Sequence, residues 1–166
     1  MKTILLTIAL FLIQSLCLAF NKDLLRTREL YYKASVNKND AELFSDFLAS
    51  APDLEKNLLC GYQGISYMIR ANHSWNPYNK LSFFNKGKDL LDEAIKKDPS
   101  NLELRFLRFC VQTNAPVFLG YSGMIEQDKI LILKAYSLSK DSDLKNRIKK
   151  YLVSSKYCTA SDKEML

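Results

Sequence analysis

Between residues 54 and 69 the chain reads LEKNLLCGYQGISYMI, with Leu54, Leu58, Tyr62, Ile65 and Ile69 spaced four, four, three and four residues apart. Steps of that size return to one side of an α-helix, whereas a half-buried strand needs strict alternation. An apolar stripe sustained over four turns has to be covered by another element. The chain is therefore expected to pack helix against helix. Gly61 and Gly64 interrupt the stripe, each at about 1 kcal/mol relative to alanine. Their presence predicts a neighbouring helix at close approach.

The same period recurs on both sides. Lys22 to Ser35 pairs Leu24, Leu25, Tyr31 and Tyr32 at helical spacing, and Ala41 to Ser50 repeats the pattern with Leu43, Phe44, Phe47 and Leu48. Pro52 cannot continue an earlier turn, and Asp53 is expected to cap the helix that follows. That third helix should end near Asn72. Asn76 and Pro77 suit the cap and first position of a fourth helix running to Lys97, with Leu81, Phe84, Leu91 and Ile95 inward. Asp98-Pro99 stops it, and Ser100 with Glu103 has the spacing of a capping box for a fifth. A sixth helix is expected from about Met124 to Leu138. The apolar run Ile130 to Leu133 suits a strand by composition alone, but Glu126 and Asp128 in an acidic first turn favour helix. A seventh is expected from Asp141 to about Val153, with Leu144, Ile148, Tyr151 and Leu152 inward and the basic cluster Lys145–Lys150 as a solvated face. The expected fold is all-α, about seven helices in one domain over residues 20–155, with a flexible tail at 156–166.

The beginning, MKTILLTIALFLIQSLCLAF, places Lys2 before an apolar run from Ile4 to Ile13 and small residues Cys17 and Ala19 ahead of Phe20. That is the pattern of a signal peptide over residues 1–19 cleaved between Ala19 and Phe20. The run is shorter than the roughly 20 residues a membrane span needs. The protein is expected to be exported, to the periplasm or the extracellular space, with no span in the mature chain. Loss of Lys2 lowers the formal charge from +6 to +5, too small a surplus to argue for nucleic acid.

Removal of Cys17 leaves Cys60, Cys110 and Cys158. An odd count permits one internal disulfide at most. Cys60 and Cys110 are the candidate pair, with buried free thiols as the alternative. The single histidine, His73, has no ligand-spaced neighbours, so no metal or cofactor is expected and His73 is read as a polar loop residue. There is no nucleophile elbow, no phosphate-cradling glycine loop and no Cys–His signature. The expectation is a non-catalytic protein.

Candidate contact residues fall in two places. On the fifth helix Asn101, Arg105, Arg108 and Gln112 share one narrow line at about 100° per residue, while leucine, phenylalanine and valine fill the rest. Such a stripe either receives an acidic peptide or carboxylate, which the arginine fork suits, or is a solvent line with its arginines tied to Asp98, Glu93 or a helix end. The second place is the aromatic loop at 72–84. There Trp75 and Tyr78 are either rigid interface anchors or, for Trp75, a staple packed under the loop.

The junction over residues 84–108 resembles the seam between two tetratricopeptide repeats, in Glu93-Ala94-Ile95 followed by Asp98, Pro99 and Asn101. Gly64 and Tyr67 have the spacing of that family's first helix. From Gly64 to Pro99 is 35 positions, longer than the roughly 24 the 34-residue unit allows. The resemblance implies stacked antiparallel helical hairpins, with the fifth helix lining a concave face. The chain is also similar in general look to small uncharacterised exported helical proteins of Gram-negative bacteria. Together these features lead to the expectation of a binding or scaffold module for a protein or peptide partner in the cell envelope. The alternative is a structural or assembly role through the aromatic loop.

Overall fold

A computed structural model describes residues 22–166; the expected signal peptide, its cleavage point and Cys17 lie outside the described residues. Everything described is helix, turn or coil, and no strand occurs among the described residues. The helices are α1 (residues 22–34), α2 (Lys38–Ala49), α3 (Lys56–His73), α4 (Pro77–Lys97), α5 (Leu102–Asn114), α6 (Ile125–Leu138), α7 (Ser142–Ser154) and α8 (Ala160–Glu164). A single 3₁₀ turn, Val117–Leu119, lies between α5 and α6. No described helix is long and apolar enough to cross a membrane.

The chain divides into two compact units whose boundary falls inside α4, between Lys88 and Asp89. In the first unit, α2 packs on α3. Its centre is an aromatic triangle of Tyr31, Phe44 and Tyr62, with ring centroids 6.2–6.4 Å apart and Phe44 perpendicular to Tyr62. Such edge-to-face pairs add about 0.5–1.5 kcal/mol each beyond burial. Leu30, Leu48, Leu58 and Ile65 of the same unit are buried. The close approach expected at the α3 glycines is met at Gly64, and it comes from α4. A methyl group on Gly87 would overlap the Gly64 carbonyl oxygen and stand 2.7 Å from Met68 Cγ.

Caps differ in detail from those expected. Glu55, not Asp53, caps α3 through hydrogen bonds from Asn57 N and Leu58 N, while the Asp53 N–H donates to Asp23 Oδ2 at 2.8 Å. Ala51 adopts φ +52°, the left-handed turn that stops α2 ahead of Pro52. His73 is not in a loop; it is the last residue of α3, with Nε2 3.1 Å from the Ala34 carbonyl. Asn76 caps α4 as expected, accepting from Tyr78 N at 2.9 Å. Phe84, Leu91 and Ile95 are buried, but Leu81 is half exposed.

In the second unit α5 packs on α6. The core comprises Phe106, Phe109 and Cys110 of α5, Ile132, Leu133 and Tyr136 of α6, and Leu144, Ile148 and Leu152 of α7. The apolar run Ile130 to Leu133 lies inside α6. Tyr151 of α7 stands edge-on to Phe106 and Phe109, its hydroxyl 2.6 Å from Thr113 Oγ1. Lys149 and Lys150 are exposed as expected of the basic cluster, whereas Lys145 lies 4.7 Å from the Tyr136 ring centre.

Residues 156–166, expected from sequence as a flexible tail, fold back on this unit. Thr159 and Asp162 form a capping box for α8, Cys158 is buried, and Lys129 Nζ donates to the Tyr157 carbonyl at 3.0 Å and to Asp162 Oδ2 at 3.2 Å. The polar composition of this stretch hides its two anchors, a buried thiol and a buried lysine supplied by α6.

Candidate functional site

The turn at Asp98-Pro99 folds α5 back along the end of α4, which Arg108 and Asp92 demonstrate by meeting across it at 3.2 Å. Asn101, rather than Ser100 with Glu103, provides the cap: its Oδ1 accepts from Glu103 N and Leu104 N, both at 3.1 Å. Its amide is held in turn by Asp98 Oδ2 at 2.9 Å. From this start the helical period carries Arg105 and Arg108 to one side, as expected.

That side does not face water. Arg108 is 6% exposed and Gln112 3%; α6 packs on α5 and sets the fully buried Asp128 against Arg108. Arg108 grips this carboxylate with two nitrogens, Nε to Oδ2 at 2.7 Å and Nη2 to Oδ1 at 2.8 Å. Arg105 adds Nη1 to Oδ1 at 3.0 Å and anchors its Nε on the Pro99 carbonyl at 2.9 Å. Tyr121, from the α5–α6 connection, donates to Asp92 Oδ1 at 2.7 Å. Two arginines and two aspartates thus form a charge-balanced cluster spanning α4, α5 and α6.

Burial opposes the Arg108 charge, yet the hydrogen bonds and charge of Asp128, with help from Asp92, hold its pKa above the ordinary value. Burial, reinforced by the bond to Asp92, also pushes the Tyr121 hydroxyl above the usual phenol range. Tyr121 is therefore a fixed donor. An acid of the first helical turn, expected only to complement the α6 dipole, is thus the partner of the arginine stripe. Spacing along α5 revealed the stripe; which helix would cover it depended on packing no local pattern encodes.

The other candidates stand in the open. Trp75 is 95% exposed and Tyr78 80%, so Trp75 is not a staple beneath its loop. Trp75 lies in the turn from α3 into α4 and Tyr78 is the second residue of α4, so the stretch expected as a loop at 72–84 is helical from Pro77; exposed Lys80 and half-exposed Leu81 follow. Behind this corner the two helices present a ladder of rings and cations. Arg70 of α3 lies over Phe83 of α4, 4.6 Å from the ring centre, and 5.6 Å from that of Tyr67. Lys86 lies 4.3 Å from the Tyr67 ring centre. Exposed cation–π contacts of this kind are worth about 0.5–1 kcal/mol. They also hold two cations in defined positions at the surface. From Lys56 to Lys88 the sequence has no aspartate or glutamate, while Lys56, Arg70, Lys80, Lys86 and Lys88 contribute five positive charges. That acid-free stretch was visible in the sequence, and it is the signal that singles out this hairpin.

Cys60, Cys110 and Cys158 are all free thiols, so the candidate Cys60–Cys110 bridge is not formed. Burial raises the Cys158 pKa, with the nearby Asp162 charge acting in the same direction. No group of three histidine, cysteine, aspartate or glutamate side chains is placed to hold a metal among the described residues. Comparison with family models, with curated proteins and with solved structures finds no match.

Proposed function

We propose that this protein is an exported, non-catalytic helical binding module that docks in the cell envelope through its aromatic corner, Trp75, Tyr78 and Leu81. The observation that carries this reading is the exposure of Trp75, an indole left almost wholly in water at the turn of a helix hairpin. A side chain of that size contributes little to folding when it is bare, and it contributes much to an interface that covers it. The arginine line of α5 is the weaker candidate, since Asp128 already receives both guanidinium groups. In this reading the cluster of Arg105, Arg108, Asp92 and Asp128 is internal framework. A tetratricopeptide-like helix turn is our proposal for the arrangement of α4 and α5, supported by buried Ala94 and Ile95 and the Asp98–Asn101 bond.

Fractionation of the cells that make the protein tests the reading. The natural chain should sediment with the envelope, and Trp75→Ala/Tyr78→Ala should pass into the soluble fraction with its circular dichroism unchanged. An unchanged distribution of the double variant refutes the corner as the docking surface.

A further inference from the structure

The occupant of this corner can be narrowed by its chemistry, an inference that rests on the docking role just proposed. We infer that the aromatic corner binds an anionic lipid surface, with Trp75 and Tyr78 seated at the headgroup level and Arg70, Lys80 and Lys86 facing lipid phosphate. Three features of the α3–α4 hairpin support this. Indole and phenol rings are the side chains that best match the bilayer interface, where one end of the ring is apolar and the other wet. Leu81, one turn into α4, adds an aliphatic group beside them. The cations are oriented and unneutralised: Arg70 and Lys86 rest on Phe83 and Tyr67, and none of Arg70, Lys80 and Lys86 has a carboxylate partner among the described residues.

Charge complementarity selects the anionic surface over a neutral one. Residues 56–88, which include the corner, carry no carboxylate; the acids of α4, Asp89, Asp92 and Glu93, belong to its later turns. A fluid headgroup layer also closes around a protruding indole without a preformed pocket, whereas a protein partner must supply a cavity to match. Each lysine or arginine at an anionic bilayer is worth about fivefold in partitioning. Replacing three of them is therefore expected to weaken binding about a hundredfold. Loss of the Trp75 ring is expected to cost about tenfold or more.

Trp75 is the single tryptophan of the chain, so its fluorescence reports this corner alone. The protein, purified from the cells that make it, is mixed with vesicles of phosphatidylglycerol and phosphatidylcholine in equal parts, or of phosphatidylcholine only. The expected result is a blue shift of Trp75 emission and co-flotation with the anionic vesicles, much weaker with neutral ones and weakened by salt. The variant Arg70→Gln/Lys80→Gln/Lys86→Gln should lose the shift, and Trp75→Ala/Tyr78→Ala should cease to float. Equal binding to both vesicle types, no binding to either, or flotation of Trp75→Ala/Tyr78→Ala at the natural level overturns the lipid inference. If vesicles fail but that double variant still leaves the envelope in cells, the corner stands as a contact for an acidic protein surface. If it stays in the envelope, the docking role falls too.

Discussion

Replacing Asp128 by alanine takes a shared carboxylate away from two guanidinium groups. Three charge-assisted hydrogen bonds vanish, those from Arg105 Nη1, Arg108 Nε and Arg108 Nη2. At about 1.5–3 kcal/mol each a simple sum would exceed what a small unit possesses. The bonds are not independent, however, because two of them come from one fork. Arg105 is near solvent and keeps the Pro99 carbonyl, whereas Arg108 is 6% exposed and retains only the longer bond to the more exposed Asp92. Breaking a buried pair by removing one partner costs about 3–5 kcal/mol, and the residual Asp92 contact favours the lower end, about 3 kcal/mol. For a unit of this size that corresponds to a fall in Tm of about 12–24 °C. Urea unfolding followed by far-ultraviolet circular dichroism measures the loss. The partner variant Arg108→Met/Asp128→Leu should recover much of it, because an apolar pair leaves no buried charge without a partner. Asp128→Ala within about 1 kcal/mol of the natural protein would refute the buried cluster, since only an exposed pair is that dispensable.

Four further outcomes follow from the packing. Gly87→Ala should destabilise the first unit by about 2 kcal/mol or more, because its methyl group meets the Gly64 backbone; urea unfolding followed by far-ultraviolet circular dichroism reads this. Thr159→Ala should cost about 1 kcal/mol through loss of the α8 cap, and hydrogen exchange at residues 158–164 should quicken, which a tail already free in the natural protein would not show. In the folded protein Cys158 should be alkylated more slowly than Cys60 at pH 8, as mass spectrometry of the labelled peptides would report. A thiol whose pKa rises on folding contributes stability below its unfolded pKa, about 8.5, and loses it as pH climbs through the folded value. Cys158→Ala should therefore reduce the alkaline decline in stability but not abolish it, since Tyr121 and Tyr151, whose pKa values burial raises, and Lys129, whose pKa the Glu126 bond raises, act in the same direction.

Periodicity carried most of the secondary structure. The α3 stripe from Leu58 to Ile69, the Asn76-Pro77 start of α4 and the Asp141 start of α7 rest on short-range rules, and each is found where the residues place it; Leu54, expected as the first residue of that stripe, precedes the helix. Cap identity was less secure, because Glu55 competes with Asp53, and Asn101 with Ser100, over distances of one or two residues. The α8 turn was hidden because five residues cannot show a period, and its anchors, Lys129 and Cys158, lie far apart in sequence. The arginines show the general limit: a helix displays which of its faces is polar, but the identity of whatever covers that face is settled by tertiary packing. Trp75 shows the complementary one. Nothing local distinguishes a bare indole from a covered one.

The charged cluster also bears on the order in which the chain acquires its shape. Asp92, Arg105, Arg108, Tyr121 and Asp128 all lie within a short span of sequence, so joining them closes only small loops. Contacts of low sequence separation form early and fast, and synthesis from the N-terminus delivers all five residues before α7 emerges. The second unit can thus set the angle between α5 and α6 with an electrostatic clasp first, leaving the late C-terminal helices a prepared surface on which to land.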